Sequence, residues 1–321
     1  MKRRTLLGAA GASILAAPAL AQGYPDKPIR MIVPYPPGGG TDGRGRITAD
    51  RLSEKLGQQI VIHNIGGASS TIGSDTVRRA DPDGYTLLFN ASLFVLGKSV
   101  VASCPYDPVT DFTAIAQAGE APLVLLVNPN VPGTDYKSTI EAIAKEPKKY
   151  FFALSSGGSA GHIATLEFLR RTKLPLDTIL YKGTAPANAD LISGSVQLFM
   201  DPWTALLPLA KAGKARAIAV ASTKRSVYFP DVPTTVEGGY PNVLMSGLYS
   251  LLLPIKTPRE IVMKLHDAAA KTMATPDVRE KFVSVGADPL ILSPEEFTAF
   301  IRKDIEMWDK VAKAAGVRYE Q

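Results

Sequence analysis

Short apolar runs alternate along the chain with segments whose apolar residues recur every three or four positions. Runs rich in β-branched and aromatic residues predict strands near 29–33, 59–63, 85–90, 124–128, 150–154, 178–181, 196–200 and 216–221. The helical period between them predicts helices over 42–56, 71–79, 138–145, 161–171, 186–192 and 204–212. Strand and helix in such alternation make an α/β protein with mostly parallel sheets. After the apolar run 248–253 the character changes. Three helical segments open at Thr257-Pro258, Thr275-Pro276 and Ser293-Pro294, each a capping residue followed by proline at the first helical position, where the missing N–H costs nothing.

The first residues read as an export segment. Lys2, Arg3 and Arg4 precede a short apolar core from Leu6 to Pro18, and Ala19-Leu20-Ala21 is a small-x-small cleavage site. Export to the periplasm follows, by the twin-arginine route that Arg3-Arg4 suggests or by the general secretory one. No segment offers about 18 unbroken apolar residues, so the mature chain is expected to carry no membrane anchor. About 300 of the 321 residues then remain, enough for two lobes. Removing the three leading cations takes the formal charge from +6 to +3. That is too mild a balance to point to nucleic acid. Cys104 is the only cysteine, which excludes an intrachain disulfide, and His63, His162 and His266 lack the spacing of metal ligands. No metal and no cofactor are expected.

The candidate chemistry lies in loops. After the first strand the chain reads Pro34-Tyr35-Pro36-Pro37-Gly38-Gly39-Gly40-Thr41-Asp42: prolines to stiffen the loop, glycines to let a ligand approach bare backbone, and cap residues where a helix starts. The unpaired N–H groups of a helix start favour an anion. Three more glycine- or serine-rich loops, 64–70, 155–161 and 182–185, also follow strands. Ligands of open α/β sheets bind outside the carboxyl ends of strands, so four such loops on one edge predict a cleft between lobes.

Six ordered strings carry a resemblance: V-P-Y-P-P-G-G-G-T-D from Val33, A-D-P-D-G-Y-T-L-L from Ala80, P-Y-D-P-V-T-D-F from Pro105, L-Y-K-G from Leu180, K-A-G-K-A-R-A-I-A-V from Lys211 and P-D-V-P-T from Pro230. Together they resemble the Bug proteins, the TctC-like periplasmic substrate-binding components of tripartite tricarboxylate transporters. The resemblance implies a type II periplasmic binding protein, with two α/β lobes joined by two crossing strands. Lobe 1 would be 24–126 plus 246–321, and lobe 2 would be 127–245. It further implies a monomer that binds a small organic carboxylate, a dicarboxylate or an aromatic or longer-chain acid, and passes it to cognate membrane permease subunits. Carried over, the ligand-binding positions are Tyr35, Pro37, Gly38, Gly39, Gly40, Thr41, Asp42, Gly67, Ala68 and Ser92 in lobe 1. In lobe 2 they are Ser155, Ser156, Gly157, Ser159, His162, Tyr181, Lys182, Gly183 and Asp201. Several also read structurally: Asp42 and Asp201 as helix caps, Tyr35 as core, Lys182 as a solvated charge.

The chain departs from the family at Ser69-Ser70, where glycines are usual, and at Leu93, Phe94 and Trp203, which would enlarge the apolar share of the pocket if they lined it. Arg44 reads either as an exposed helix arginine or as the partner of a second carboxylate. A rival reading is a serine hydrolase. Gly157-Gly158-Ser159-Ala160-Gly161 matches a nucleophile elbow, with Asp201 and His266 following in the right order. A sensor presenting its ligand to a membrane kinase would use the same site as a transport receptor.

Overall fold

The computed structural model describes residues 23–38, 40–222, 224–226, 230–239, 246–284, 292–314 and 316. The export segment and Gly39 lie outside them. In chain order the elements are β1 (Ile29–Val33), α1 (Gly40–Leu56), β2 (Ile60–Asn64), α2 (Thr71–Arg78), β3 (Thr86–Ala91), α3 (Leu93–Val100), β4 (Phe112–Val127), α4 (Tyr136–Lys145), β5 (Phe151–Leu154), α5 (Ala160–Thr172), β6 (Asp177–Leu180), α6 (Thr184–Ser193), β7 (Leu198–Pro202), α7 (Trp203–Lys211), β8 (Arg216–Val220), β9 (Ser246–Pro254), α8 (Arg259–Ala274), α9 (Pro276–Ser284) and α10 (Pro294–Ala314).

Hydrogen-bonded strands run in the order β2-β1-β3-β9-β4-β7-β5-β6, with β8 on the far side of β4. Two parallel groups, β2-β1-β3 and β7-β5-β6, form the hearts of two α/β lobes. Between them β4 and β9 run antiparallel to each other and to their outer neighbours. β4 changes partners along its length. Through Pro122 it pairs with β9, and from Leu123 it pairs with β7.

Two elements differ from the sequence reading. β4 extends over 16 residues, where only its end was expected as a strand. Gln117, Gly119, Glu120 and Pro122 break the local pattern, yet the ladder to β9 holds them extended across two register slips. α3 was not expected. Leu93, Phe94, Val95, Leu96, Gly97 and Val100 are all buried and only Lys98 is exposed, so the apolar face is too broad to show as an amphipathic stripe. The three central antiparallel pairings likewise correct the expectation of mostly parallel sheets.

Of the three Thr/Ser-Pro starts, Ser293 caps as expected: its hydroxyl accepts the Glu296 N–H at 3.2 Å while the Glu296 carboxylate accepts the Ser293 N–H at 2.9 Å. Thr257 and Thr275 instead donate their hydroxyls backward, to the carbonyls of Pro254 and Thr272.

One apolar cluster runs through both lobes on one face of the sheet, from Leu88 and Leu252 through Leu125 to Phe152 and Phe168. α10 covers it. Phe297, Ile301, Trp308 and Ala312 fall on one helical stripe of α10 and are buried there, and the helix packs against α3, β4 and α5. The opposite faces have their own cores, under α1 and α8 in lobe 1 and under α6 and α7 in lobe 2.

Trp308, with none of its surface exposed, is the largest side chain of α10 in this shared core. Trp308→Ala is expected to cost about 3–5 kcal/mol in denaturant unfolding. A loss below about 1 kcal/mol would show that α10 is an appendage and not part of the core.

Candidate functional site

The β1–α1 loop is pinned before any ligand arrives. Asp42, in the first turn of α1, points its carboxylate back into the protein: Oδ2 accepts the Gly38 N–H at 2.8 Å and Arg46 Nε at 2.9 Å, and Oδ1 accepts Asn64 Nδ2 at 2.8 Å. Burial works against this charge, but the bonds from Arg46, Gly38 and Asn64 outweigh it and hold Asp42 below the usual carboxylate range. Asn64 also donates to the Tyr35 carbonyl, and the Tyr35 hydroxyl donates to Asn90 Oδ1 on β3 at 2.9 Å. Asp42 is thus neither an N-cap nor a cleft wall; it organises the loop. α1 begins at Gly40, two residues earlier than the sequence suggested.

A cleft of about 640 Å³ opens beside this loop, walled by Tyr35, Pro36, Pro37, Gly38, Thr41 and Arg44 on one side. Arg44 is only 5% exposed, and its guanidinium lies 4.5 Å from the centre of the Tyr249 ring on β9. That corrects the reading of Arg44 as an exposed helix arginine. Ser92, Leu93, Gly247, Leu248 and Tyr249 complete this side.

Lobe 2 supplies the facing wall from the ends of β5 and β7 and the starts of α5, α6 and α7. Ser155, Ser156, Ser159, Lys182, Gly183 and Asp201 line it, together with Thr184 and Asn188. Gly183 turns the chain here with φ +118, a conformation that side chains rarely adopt, and its N–H reaches the Ser155 carbonyl at 2.5 Å. Asp201 is buried. Its Oδ1 accepts the Ser155 hydroxyl at 3.0 Å and its Oδ2 the Thr184 hydroxyl at 2.6 Å. Burial pushes its carboxyl up to about 6, and the two hydroxyl bonds offset only part of that rise. α5 presses against it so closely that a Cβ on Gly161 would lie 2.4 Å from Oδ1. Asp201 therefore does not cap α7, whose N-cap is Pro202 without a side-chain bond.

Eleven of the residues read from the sequence line this cleft: Tyr35, Pro37, Gly38, Thr41, Ser92, Ser155, Ser156, Ser159, Lys182, Gly183 and Asp201. Gly40, Asp42, Gly67, Ala68, Gly157, His162 and Tyr181 do not, for identifiable reasons. Gly67 and Ala68 open a left-handed turn in which Ala68, Ser69 and Ser70 have φ 48, 50 and 71. The turn stands behind the wall, where Ser70 lies near Asn90 Nδ2. His162 supports the Gly157-Gly158 turn through its Nδ1, which accepts the Gly158 N–H at 3.0 Å, and burial pushes its imidazole down to about 4. Tyr181 sends its hydroxyl to Asp190 at 2.6 Å.

Two residues that the sequence left open between wall and core are core. Phe94 packs between Tyr106 and Phe112, with ring centres 5.6 and 5.0 Å away, and Trp203 is 1% exposed in the cluster with Leu126 and Phe199. Of the three departures expected to enlarge the apolar pocket, only Leu93 reaches it. Thr184, Asn188 and Tyr249 were missed. Thr184 and Asn188 are one turn apart on α6, a spacing visible in the sequence, whereas Tyr249 reaches the cleft only through long-range strand pairing.

The hydrolase geometry does not assemble. The Ser159 hydroxyl caps α5, accepting the His162 N–H at 3.2 Å, and lies 3.2 Å from Ser155 Oγ. His266 Nδ1 bonds instead to the Ile115 carbonyl on β4 at 2.9 Å. Among the described residues no group of three or more His, Cys, Asp or Glu could hold a metal ion, and no helix is long and apolar enough to cross a membrane.

Comparison with known proteins agrees with this architecture. BugT of Bordetella pertussis (strain Tohama I) is 36% identical over 306 residues, covering 95% of this chain and 94% of its own. Among solved structures, the periplasmic binding protein BugD superposes with a TM-score of 0.82 at 33% identity, covering 93% of this chain and all of its own. R. palustris Rpa4515 with adipate superposes with a TM-score of 0.85, also at 33% identity, covering 92% of this chain and all of its own. The model of the tripartite tricarboxylate transporter family receptors matches residues 45–317. The chain belongs to that family, TctC.

Proposed function

We propose that the protein captures a small carboxylate reversibly in this cleft, between lobes 24–126 plus 246–321 and 127–245, and delivers it to membrane permease subunits. The observation that carries the reading is a cleft that holds Arg44 and Lys182 and is bordered by five helix starts, those of α1, α3, α5, α6 and α7, of which α5 and α6 already face Asp201. Helix starts favour anions, and each hydrogen bond to a charged group contributes about 1.5–3 kcal/mol. A handful of such bonds, less the costs of desolvation and closure, reaches the roughly 8 kcal/mol of micromolar affinity. Family and fold are those of periplasmic solute-binding proteins, and the adipate in Rpa4515 supports a carboxylate here. Residues 1–21 act as the export signal, and the mature receptor works as a monomer without catalysis. With Phe94 and Trp203 in the core, the apolar lining is Leu93, Leu248, Tyr249 and short side chains such as Pro36, Pro37, Ala160 and Pro202, which suits a dicarboxylate chain better than a large aromatic body.

Protein lacking residues 1–21, screened by thermal shift against mono-, di- and tricarboxylates, is expected to gain about 2.7 kcal/mol at a hundredfold excess of the right acid over its Kd. Stabilisation by neutral ligands alone would sink the reading. No ester turnover that Ser159→Ala would abolish is expected in the wild type, because the Ser159 hydroxyl is engaged with the His162 N–H and with Ser155 Oγ. Turnover that vanishes in the variant would favour the hydrolase.

The pH dependence follows from Asp201. Because its folded pKa is raised to about 6, the stability associated with its protonated form is present in acid and is lost as pH rises through about 6. The ionised carboxylate also repels an anionic ligand. Affinity for a simple dicarboxylate, followed by calorimetry, is therefore expected to rise as pH falls from about 8 to about 6, and Asp201→Asn to flatten that rise. An unchanged slope in the variant would remove Asp201 from the ligand's surroundings.

A further inference from the structure

We infer that the cleft has two chemically different ends, and that the wall built from Ser155, Thr184, Asn188 and Asp201 is a subsite for a hydrogen-bond donor, a hydroxyl or ammonium carried on the ligand's carbon chain. The inference rests on the reading that the cleft takes a carboxylate.

A hydroxyl has one proton to give. With Asp201 ionised, both of its oxygens only accept, so Ser155 donates to Oδ1 at 3.0 Å and Thr184 to Oδ2 at 2.6 Å. Both residues line the cleft, and what each has left to offer there is lone pairs. Ser159 accepts the His162 N–H and stands 3.2 Å from Ser155 Oγ, so its proton can continue the same chain toward Asp201. Asn188 follows Thr184 by one turn of α6 and lines the same wall. Its Oδ1 is buried without a hydrogen-bond donor among the described residues.

Several backbone donors of this wall are already used: Gly158 N–H by His162, His162 N–H by Ser159 and Gly183 N–H by the Ser155 carbonyl. The starts of α5 and α6 already face the Asp201 carboxylate, as the Gly161 contact and the Thr184 bond show. The opposite wall differs. There Arg44 is a buried positive charge, whereas the cation of this wall, Lys182, is solvent-exposed, so the ligand's carboxylate belongs on the Arg44 side and a donor on this one. An unsubstituted carbon chain would leave the acceptors of this wall desolvated and unbonded, which is how binding sites reject analogues that lack a hydroxyl or amine.

The test is calorimetry at about pH 8, where Asp201 is ionised, on wild type, Asn188→Leu and the near-isosteric Thr184→Val. The probes are acids of one carbon skeleton: succinate against malate and aspartate, and adipate against its 2-hydroxy and 2-amino derivatives. Wild type is expected to bind a hydroxy or amino acid at least about tenfold more tightly than its parent, and both variants to shrink that ratio toward one. Equal affinities of parent and substituted acids in wild type, or a ratio that survives in both variants, would overturn the subsite while leaving carboxylate capture standing. If none of these acids nor any other carboxylate binds, the carboxylate reading fails and the subsite fails with it.

Discussion

The antiparallel pairing of β4 with β9 is the constraint on which the cleft depends. These strands carry the chain out of lobe 1 and back into it, and β9 supplies the floor on which the two walls meet. Tyr249 gives Arg44 a ring to lie on, the Leu248 N–H is bound by the Ser92 hydroxyl at 2.8 Å, and Gly247 sits so near Pro202 that a Cβ there would come within 3.2 Å of it. Residues far apart in sequence thus become neighbours because two strands share one ladder. α10 reinforces the arrangement from the other side by packing on α3, β4 and α5.

What the sequence made legible is what local chemistry controls. Glycines and hydroxyls after strands marked the loops at 34–42, 155–161 and 182–185, and the alternation of periods marked most strands and helices. Residues set by long-range contact were hidden. α3 carries no clear amphipathic stripe because all but Lys98 and Ser99 of it is buried, and β4 contains the very residues that usually end a strand. Trp203 and Phe94 sit beside cleft residues in sequence but turn into the core, since a side chain's face depends on what packs against its helix. Arg44 shows the converse: a charged residue that would be solvated on an isolated helix is buried because an aromatic ring from β9 covers it.

Two buried aspartates illustrate how partners decide a carboxylate's role. Asp42 receives charged and amide donors and stays ionised as a fixed organiser of its loop. Asp201 receives only hydroxyls, and burial raises its pKa toward neutrality. The same side chain is a structural anchor in one lobe and a titrating group in the other.

The left-handed turn at 68–70 bears on how freely the protein can vary. Each non-glycine residue in that conformation costs roughly 1–2 kcal/mol, and a branched Cβ raises the cost further. Valine, isoleucine and threonine are therefore disfavoured at three successive positions by backbone geometry, whether or not their side chains would touch anything. Residues with an unbranched Cβ remain admissible there, as Lys173 and Lys256 show by adopting the same conformation elsewhere in the chain, so mutational tolerance in this segment follows φ as well as exposure.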